Sequence, residues 1–290
     1  MPQTPFTDPS PIAAGLKLAE LISALSHALD ITEGQPEGHC VRCCWIGMHL
    51  GRSIGLTETQ QWELYYTLLL KDLGCSSNAA RICELYLTDD LNFKRDFKHV
   101  GDSLPQVVRF VLQHTGLKAG LAERFRSVLN IFRNGPEFSQ ELIQTRCQRG
   151  AEIARLLRFS EGVAAGIYSL DEHWSGQGKP DQLSGTAIPV YARIALLAQV
   201  VDVFHMADGK EAAMDEVRKR NGQWFDPTLV AAMEELAAQE SFWTTLRSDQ
   251  IEQAVLALEP AGCVVPLDED YLDDIATAFG QVVDSKSPYT

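Results

Sequence analysis

The 290-residue chain is 45% hydrophobic, enough for one large helical domain or two ordinary ones around a substantial core. Its formal net charge of −14 argues against nucleic acid or an anionic membrane surface as partners, because non-specific binding to either needs clustered Lys and Arg. No apolar run reaches the roughly 20 residues of a bilayer crossing, the opening Met1-Pro2-Gln3-Thr4-Pro5 has no signal-peptide character, and seven scattered cysteines suit a reducing compartment rather than a disulfide framework, so a cytoplasmic protein is expected.

Helical periodicity dominates from the first residues onward. Apolar residues recur at three- and four-residue spacing over Ile12–Leu29, Val41–Leu50 and Trp62–Leu73, and Thr57-Glu58-Thr59-Gln60 reads as a capping box at a helix start. Further helices are predicted at Leu104–His114, Leu121–Phe132, Gln140–Leu157, Gly162–Leu170, Pro189–Ala207, Lys210–Arg220 and Pro227–Ala238. Gly and Pro mark loops at Glu33–Gly38, Asn134–Pro136 and Ser175–Thr186. With no strand alternation flanked by hairpin turns, the fold class is all-α. A weak internal repeat aligns Leu18–Asp30 without gaps on Leu272–Asp284. Shared apolar spacing of two unrelated amphipathic helices is the rival explanation.

Several motifs carry chemistry or its remains. Gly38-His39 opens a predicted helix, Leu70-Lys71-Asp72-Leu73-Gly74-Cys75 closes an apolar one, and Arg146 stands four residues before Gly150-Ala151-Glu152-Ile153. Then come Leu170-Asp171-Glu172-His173-Trp174, the glycines and prolines of Gly178-Lys179-Pro180 and Gly185-Thr186-Ala187-Ile188-Pro189, Ala192-Arg193, Gln199 with Asp202, and Phe225-Asp226-Pro227. In combination these segments resemble the HD-GYP family, bacterial metal-dependent phosphodiesterases of cyclic di-GMP. The resemblance covers roughly residues 18 to 240. It implies an HD-domain-like helical bundle of HD-GYP type with a C-terminal helical extension. The chain then divides into a lead-in (1–17), the HD-GYP-like domain (18–240), a helical linker (241–267) and a helix resembling the start of a second HD-type unit (268–290).

The family's metal-ligand positions, carried over one at a time, fall on His39, Lys71, Asp72, Arg146, Leu170, Asp171 and Gln199. His39 and Asp72 match the family. Lys71 and Arg146 stand where it has histidines, Leu170 and Asp171 where it has an adjacent His pair, and Gln199 where it has an aspartate, while Asp202 keeps the next one. Lys179 replaces the tyrosine of the signature and Cys75 a lysine. Because two permanent cations repel a dication at short range, this pattern implies a degenerate site. The expectation is a non-catalytic regulatory or interaction domain in bacterial cyclic-dinucleotide signalling, with no metal cofactor where the family uses divalent iron or manganese. The alternatives are a phosphodiesterase with an atypical metal site and a dimerisation or assembly module.

Two readings of the cations stay open. Lys71 and Arg146 neutralise Asp72 and Asp171 as ion pairs, or Lys71, Arg146 and Lys179 form an anion-binding set for a cyclic dinucleotide or another phosphate ligand. Cys40, Cys43 and Cys44 are read as core packing rather than as a metal cluster or reactive thiols, and His173 and His205 as structural. A homodimer or a covalently linked second HD-type unit is the expected partner. In either case the apolar face of the last helix, with Leu272, Ile275, Ala276, Phe279 and Val282 or Val283, is expected to lack a partner within the chain.

Overall fold

A computed structural model describes residues 17–33, 37–74, 140, 141, 143–263 and 265–284. The elements in chain order are α1 (Leu18–Glu33), α2 (His39–Ser53), α3 (Glu58–Leu70), α4 (143–156), α5 (Glu161–Tyr168), α6 (Val190–Asp208), α7 (Lys210–Lys219), α8 (Pro227–Ala237), α9 (Glu240–Leu246), α10 (Ile251–Leu256) and α11 (Glu269–Asp284). Among the described residues no strand forms; Ser175–Ser184 and Asn221–Phe225 make isolated bridges. The all-α class and the HD-type bundle agree with the sequence reading. The predicted helices Leu104–His114 and Leu121–Phe132 and the loop Asn134–Pro136 lie outside the described residues.

Local chemistry sets the helix starts. At α3 the Gln60 amide donates to Thr57 Oγ1 at 3.3 Å while the Thr57 amide donates to Gln60 Oε1 at 3.0 Å, closing the capping box. Ser160 caps α5 through the Val163 amide, and Asp226 caps α8 through the Thr228 amide at 2.9 Å, with Pro227 in the first turn. Pro189 is the N-cap of α6. The predicted Trp62–Leu73 helix runs instead from Glu58 and ends at Leu70, before Lys71 and Asp72.

Helix α6 is the centre of the bundle. Ile194, Ala195, Leu197, Ala198 and Val201 are all fully buried, and the helix packs on α2, α5 and α7. At 19 residues it is long and apolar enough to cross a membrane by length and composition, contrary to the expectation that no segment is. Most of it is buried in the bundle core.

The C-terminal third folds back on the rest. The Tyr66 hydroxyl donates to Glu259 at 2.5 Å, Ser23 to Glu252 at 2.9 Å, and the Trp45 indole to the Phe242 carbonyl at 3.3 Å. Helix α11 buries Tyr271, Ile275, Ala278 and Val282. The Tyr271 hydroxyl donates to the Leu157 carbonyl at 2.8 Å, Arg149 donates to Gln281 at 2.9 Å, and Arg158 pairs with Asp274 at 2.6 Å. The expectation of an uncovered apolar face therefore fails: the α11 face is covered by α4 and the turn after it. Of the residues assigned to that face, Ala276 is exposed and Leu272 and Phe279 are partly buried, because the buried stripe follows 271, 275, 278 and 282 at helical spacing.

Candidate functional site

Residues three and four apart on a helix share a face, and on α2 this brings together His39, Arg42 and Cys43, all buried. Opposite them α6 supplies Asp202. His39 Nδ1 lies 2.6 Å from Asp202 Oδ2, Arg42 Nε donates to Oδ1 at 2.6 Å, and Arg42 Nη2 donates to Oδ2 at 3.2 Å. Burial alone would raise the Asp202 carboxyl, but the hydrogen bond and charge of His39, with those of Arg42, hold it below the usual carboxylate range. Asp202 is therefore an anion that accepts from His39 Nδ1; when the ring is neutral with its proton on Nδ1, the lone pair lies on Nε2. Cys43 Sγ stands 3.8 Å from both ring nitrogens.

Next to this group the ends of α1 and α3 converge. Asp30 Oδ1 accepts from the Cys40 amide at 3.1 Å, and Cys40 Sγ is 3.5 Å from Asp72 Oδ2. The Lys71 ammonium binds Asp72 and donates to Gln199 Oε1 at 3.2 Å. Its side chain is 0% exposed. Burial opposes the ammonium, but Asp72 beside it holds the Lys71 amine well above its ordinary value, so it stays charged. Burial pushes the Asp30 carboxyl up to about 6, against the pull of Lys71. Asp30 Oδ2 is buried with no hydrogen-bond partner among the described residues. Burial also drives the Cys40 and Cys43 thiols up, so they are protonated in the absence of a bound cation.

A second group lies at the rim, where Arg146 on α4 pairs with Asp171 and the side chains are 26% and 20% exposed. Cys147 Sγ is 3.8 Å from Asp171 Oδ2, and burial raises its thiol to about 12. The Lys179 amide donates to the Asp171 carbonyl at 3.0 Å, and partial burial lowers the Lys179 amine in spite of Asp171. The loop that carries Lys179 is held by Glu172, whose Oε1 accepts from the Asp181 amide at 2.6 Å. Gly178 is required by close approach, since a Cβ there would meet the His173 nitrogen at 2.1 Å. Gly74 joins the two groups: a Cβ on it would lie 1.8 Å from the Arg146 carbonyl oxygen.

The structure thus gathers the buried His39, Lys71 and Asp72 with the partly buried Gln199 in one cluster, and Arg146, Asp171 and Lys179 in another, partly exposed one. Leu170 is 2% exposed and belongs to the apolar core, away from any polar role. His173 stacks on Trp224 at 4.2 Å, while His205 stacks on Trp243 at 4.9 Å and accepts from Arg247 Nε at 3.0 Å. The sequence reading missed Asp30, Arg42, Cys40 and Cys43 as members of the cluster. Arg42 and Cys43 carried a signal, because they follow His39 by three and four residues. Asp30 carried none, since its place depends on how α1 packs against α2.

Two buried groups have the atoms for a metal: His39, Cys43 and Asp202, and Asp30, Cys40 and Asp72, each with its ligand atoms within 4.8 Å of one another. The first fits a divalent ion best. Its imidazole is oriented through Nδ1 by Asp202, whose oxygens are taken by His39 and Arg42, so His39 Nε2 and the Cys43 sulfur are the atoms left for a metal. In the second group the Lys71 ammonium already holds Asp72.

Residues 119–229 match the HD domain family. A curated relative from Vibrio cholerae serotype O1, a 3′3′-cGAMP-specific phosphodiesterase, is 56% identical over 94% of this chain and 59% of its own length. A cyclic di-GMP phosphodiesterase from the same organism is 38% identical over 24% of this chain and 15% of its own. The crystal structure of a cyclic GMP-AMP specific phosphodiesterase of V. cholerae superimposes with a TM-score of 0.74 at 49% identity, over 94% of this chain and 61% of that one. The chain therefore spans about three-fifths of the relatives it matches along most of its length. These findings correct two expectations. The reading of a non-catalytic domain is overturned by a relative at 56% identity that is named a phosphodiesterase. The expectation of no metal falls with it, because HD-type phosphodiesterases are metal-dependent and the chain buries two groups of potential ligands. Residues 119–229 thus match an HD domain, and over most of its length the chain is similar to cyclic-dinucleotide phosphodiesterases of the HD-GYP type.

Proposed function

We propose that this chain acts in the metal-dependent hydrolysis of a 3′3′-linked cyclic dinucleotide. The observation that carries the proposal is the 56% identity over 94% of the chain to a 3′3′-cGAMP-specific phosphodiesterase. His39 and Cys43 are the residues that would hold a divalent ion, with Asp202 behind the imidazole. Such an ion supplies a Lewis acid for a phosphodiester oxygen and lowers the pKa of a bound water. Asp202 fixes the ring of His39, and Arg42 keeps Asp202 ionised so that it remains an acceptor for Nδ1. At the rim, Arg146 and Lys179 are the cations placed to receive phosphate oxygens, and Asp171 orients Arg146. His39, Cys43 and Asp202 are buried, which strengthens the interactions among them. The proposal places the protein in the cytoplasm, which suits five cysteines that are free among the described residues.

The test is turnover by the full chain loaded with manganese or ferrous iron and given 3′3′-cGAMP or cyclic di-GMP, with products separated chromatographically. Metal-dependent opening of the ring, abolished by a chelator and strongly reduced in His39→Ala, is the expected result. Failure to open either nucleotide in the presence of both metals would overturn the proposal.

A further inference from the structure

Lys71 and Gln199 come from different helical segments and meet at 3.2 Å, the ammonium lying on Asp72 with no solvent exposure. Both stand at positions where the family carries a metal ligand, a histidine and an aspartate. Exchanging neutral imidazole for an ammonium adds one positive charge, and exchanging a carboxylate for an amide removes one negative charge. Together they add the charge of one divalent ion, at the place where that ion would sit.

We infer that Lys71 is a resident cation that takes the place of one metal ion at Asp72, with Gln199 as its neutral acceptor. The geometry accounts for both exchanges at once. A buried carboxylate needs a cation or a donor, and Lys71 supplies the cation without coordination chemistry. The ammonium needs acceptors on more than one side, and Gln199 Oε1 gives a second one beyond Asp72. An aspartate at 199 would leave a surplus negative charge in a pocket that already holds Asp30, whose buried Oδ2 has no hydrogen-bond partner among the described residues. The result is a site whose metal capacity is confined to the His39, Cys43 and Asp202 group, one ion fewer than a family member with both ligands in place. This inference rests on the metal-dependent reading above.

The experiment counts metal without nucleotide. The full chain and its Lys71→His/Gln199→Asp variant are stripped with chelator, dialysed against manganese and measured by plasma mass spectrometry, with circular dichroism to confirm folding. The variant is expected to retain about one more manganese ion per chain than the parent. Equal contents in two folded proteins overturn the inference. If the variant does not fold, crystals of the parent chain soaked in manganese decide the matter by anomalous diffraction. No peak within bonding distance of Asp72 supports the inference, and a peak there overturns it. Because the metal count uses no cyclic dinucleotide, it is independent of the turnover test: a gain of metal in the variant with no turnover by the parent chain sinks the phosphodiesterase reading and leaves this one standing.

Discussion

The buried cluster around Lys71 and the rim pair of Arg146 and Asp171 use the same kind of interaction in different solvents. At the first the ammonium and its carboxylate are shielded from water, at 0% and 6% exposure; at the second both partners keep about a quarter of their surface wet. Water screens the rim pair, so its contribution to stability is small and its charges remain accessible to a ligand. Inside, the same pairing is expensive to break, because the partner left behind is an unpaired buried charge. The two clusters therefore divide the work: one holds the bundle together electrostatically, and the other faces the outside.

Breaking the inner pair is the sharpest way to test this division. Lys71→Met should cost about 3–5 kcal/mol in chemical denaturation, as loss of one member of a buried pair does, and a loss below about 1 kcal/mol would mean that water reaches Asp72. Gly74→Ala attacks the link between the clusters. Its new methyl group meets the Arg146 carbonyl oxygen, so the start of α4 must shift, at an expected cost of about 3 kcal/mol, the upper end for overpacking. Unchanged thermal stability in this variant would show that α4 is not seated as described.

At the rim the effects should be smaller on folding and visible on binding. Arg146→Ala is expected to change stability by less than about 1 kcal/mol and to weaken cyclic dinucleotide binding about tenfold, the scale of one charge-assisted hydrogen bond. Calorimetric titration of both proteins measures the second effect, and equal affinities would remove Arg146 from the phosphate site. The smallest effect concerns His205, which is buried against Trp243. Burial and then the charge of Arg247 lower the His205 imidazole below 6.5. The unfolded chain thus binds the proton more readily, so the stability tied to His205 is complete above pH 6.5 and is lost as pH falls through the lowered folded value. Urea midpoints of the parent should decline over that interval, while His205→Phe, which keeps the stack on Trp243, should flatten this part of the profile.

Much of the fold was legible because helical periodicity and capping are local. Thr57-Glu58-Thr59-Gln60 announced the start of α3, and Asp226-Pro227 forms the start of α8, since both act within one turn. The resemblance to HD-GYP-type phosphodiesterases was also legible, from Gly-, Pro- and Arg-containing motifs whose spacing is sequential. What the sequence by itself determined is thus the all-α class, most helix positions among the described residues and the resemblance to HD-type phosphodiesterases. Its reading of the consequence, a silent domain without metal, was corrected by the relatives rather than by geometry. Only the tertiary structure decided that Lys71 meets Gln199, that Arg42 and His39 share Asp202, and that Asp30 joins them. It also decided that α11 is covered by α4. Each of these depends on a contact between residues more than 30 positions apart or on the angle at which two helices cross, the Asp30–Cys40 bond on how α1 packs against α2. Local propensity carries no information about such distances; packing of apolar faces sets them, and the polar groups are brought together as that packing closes.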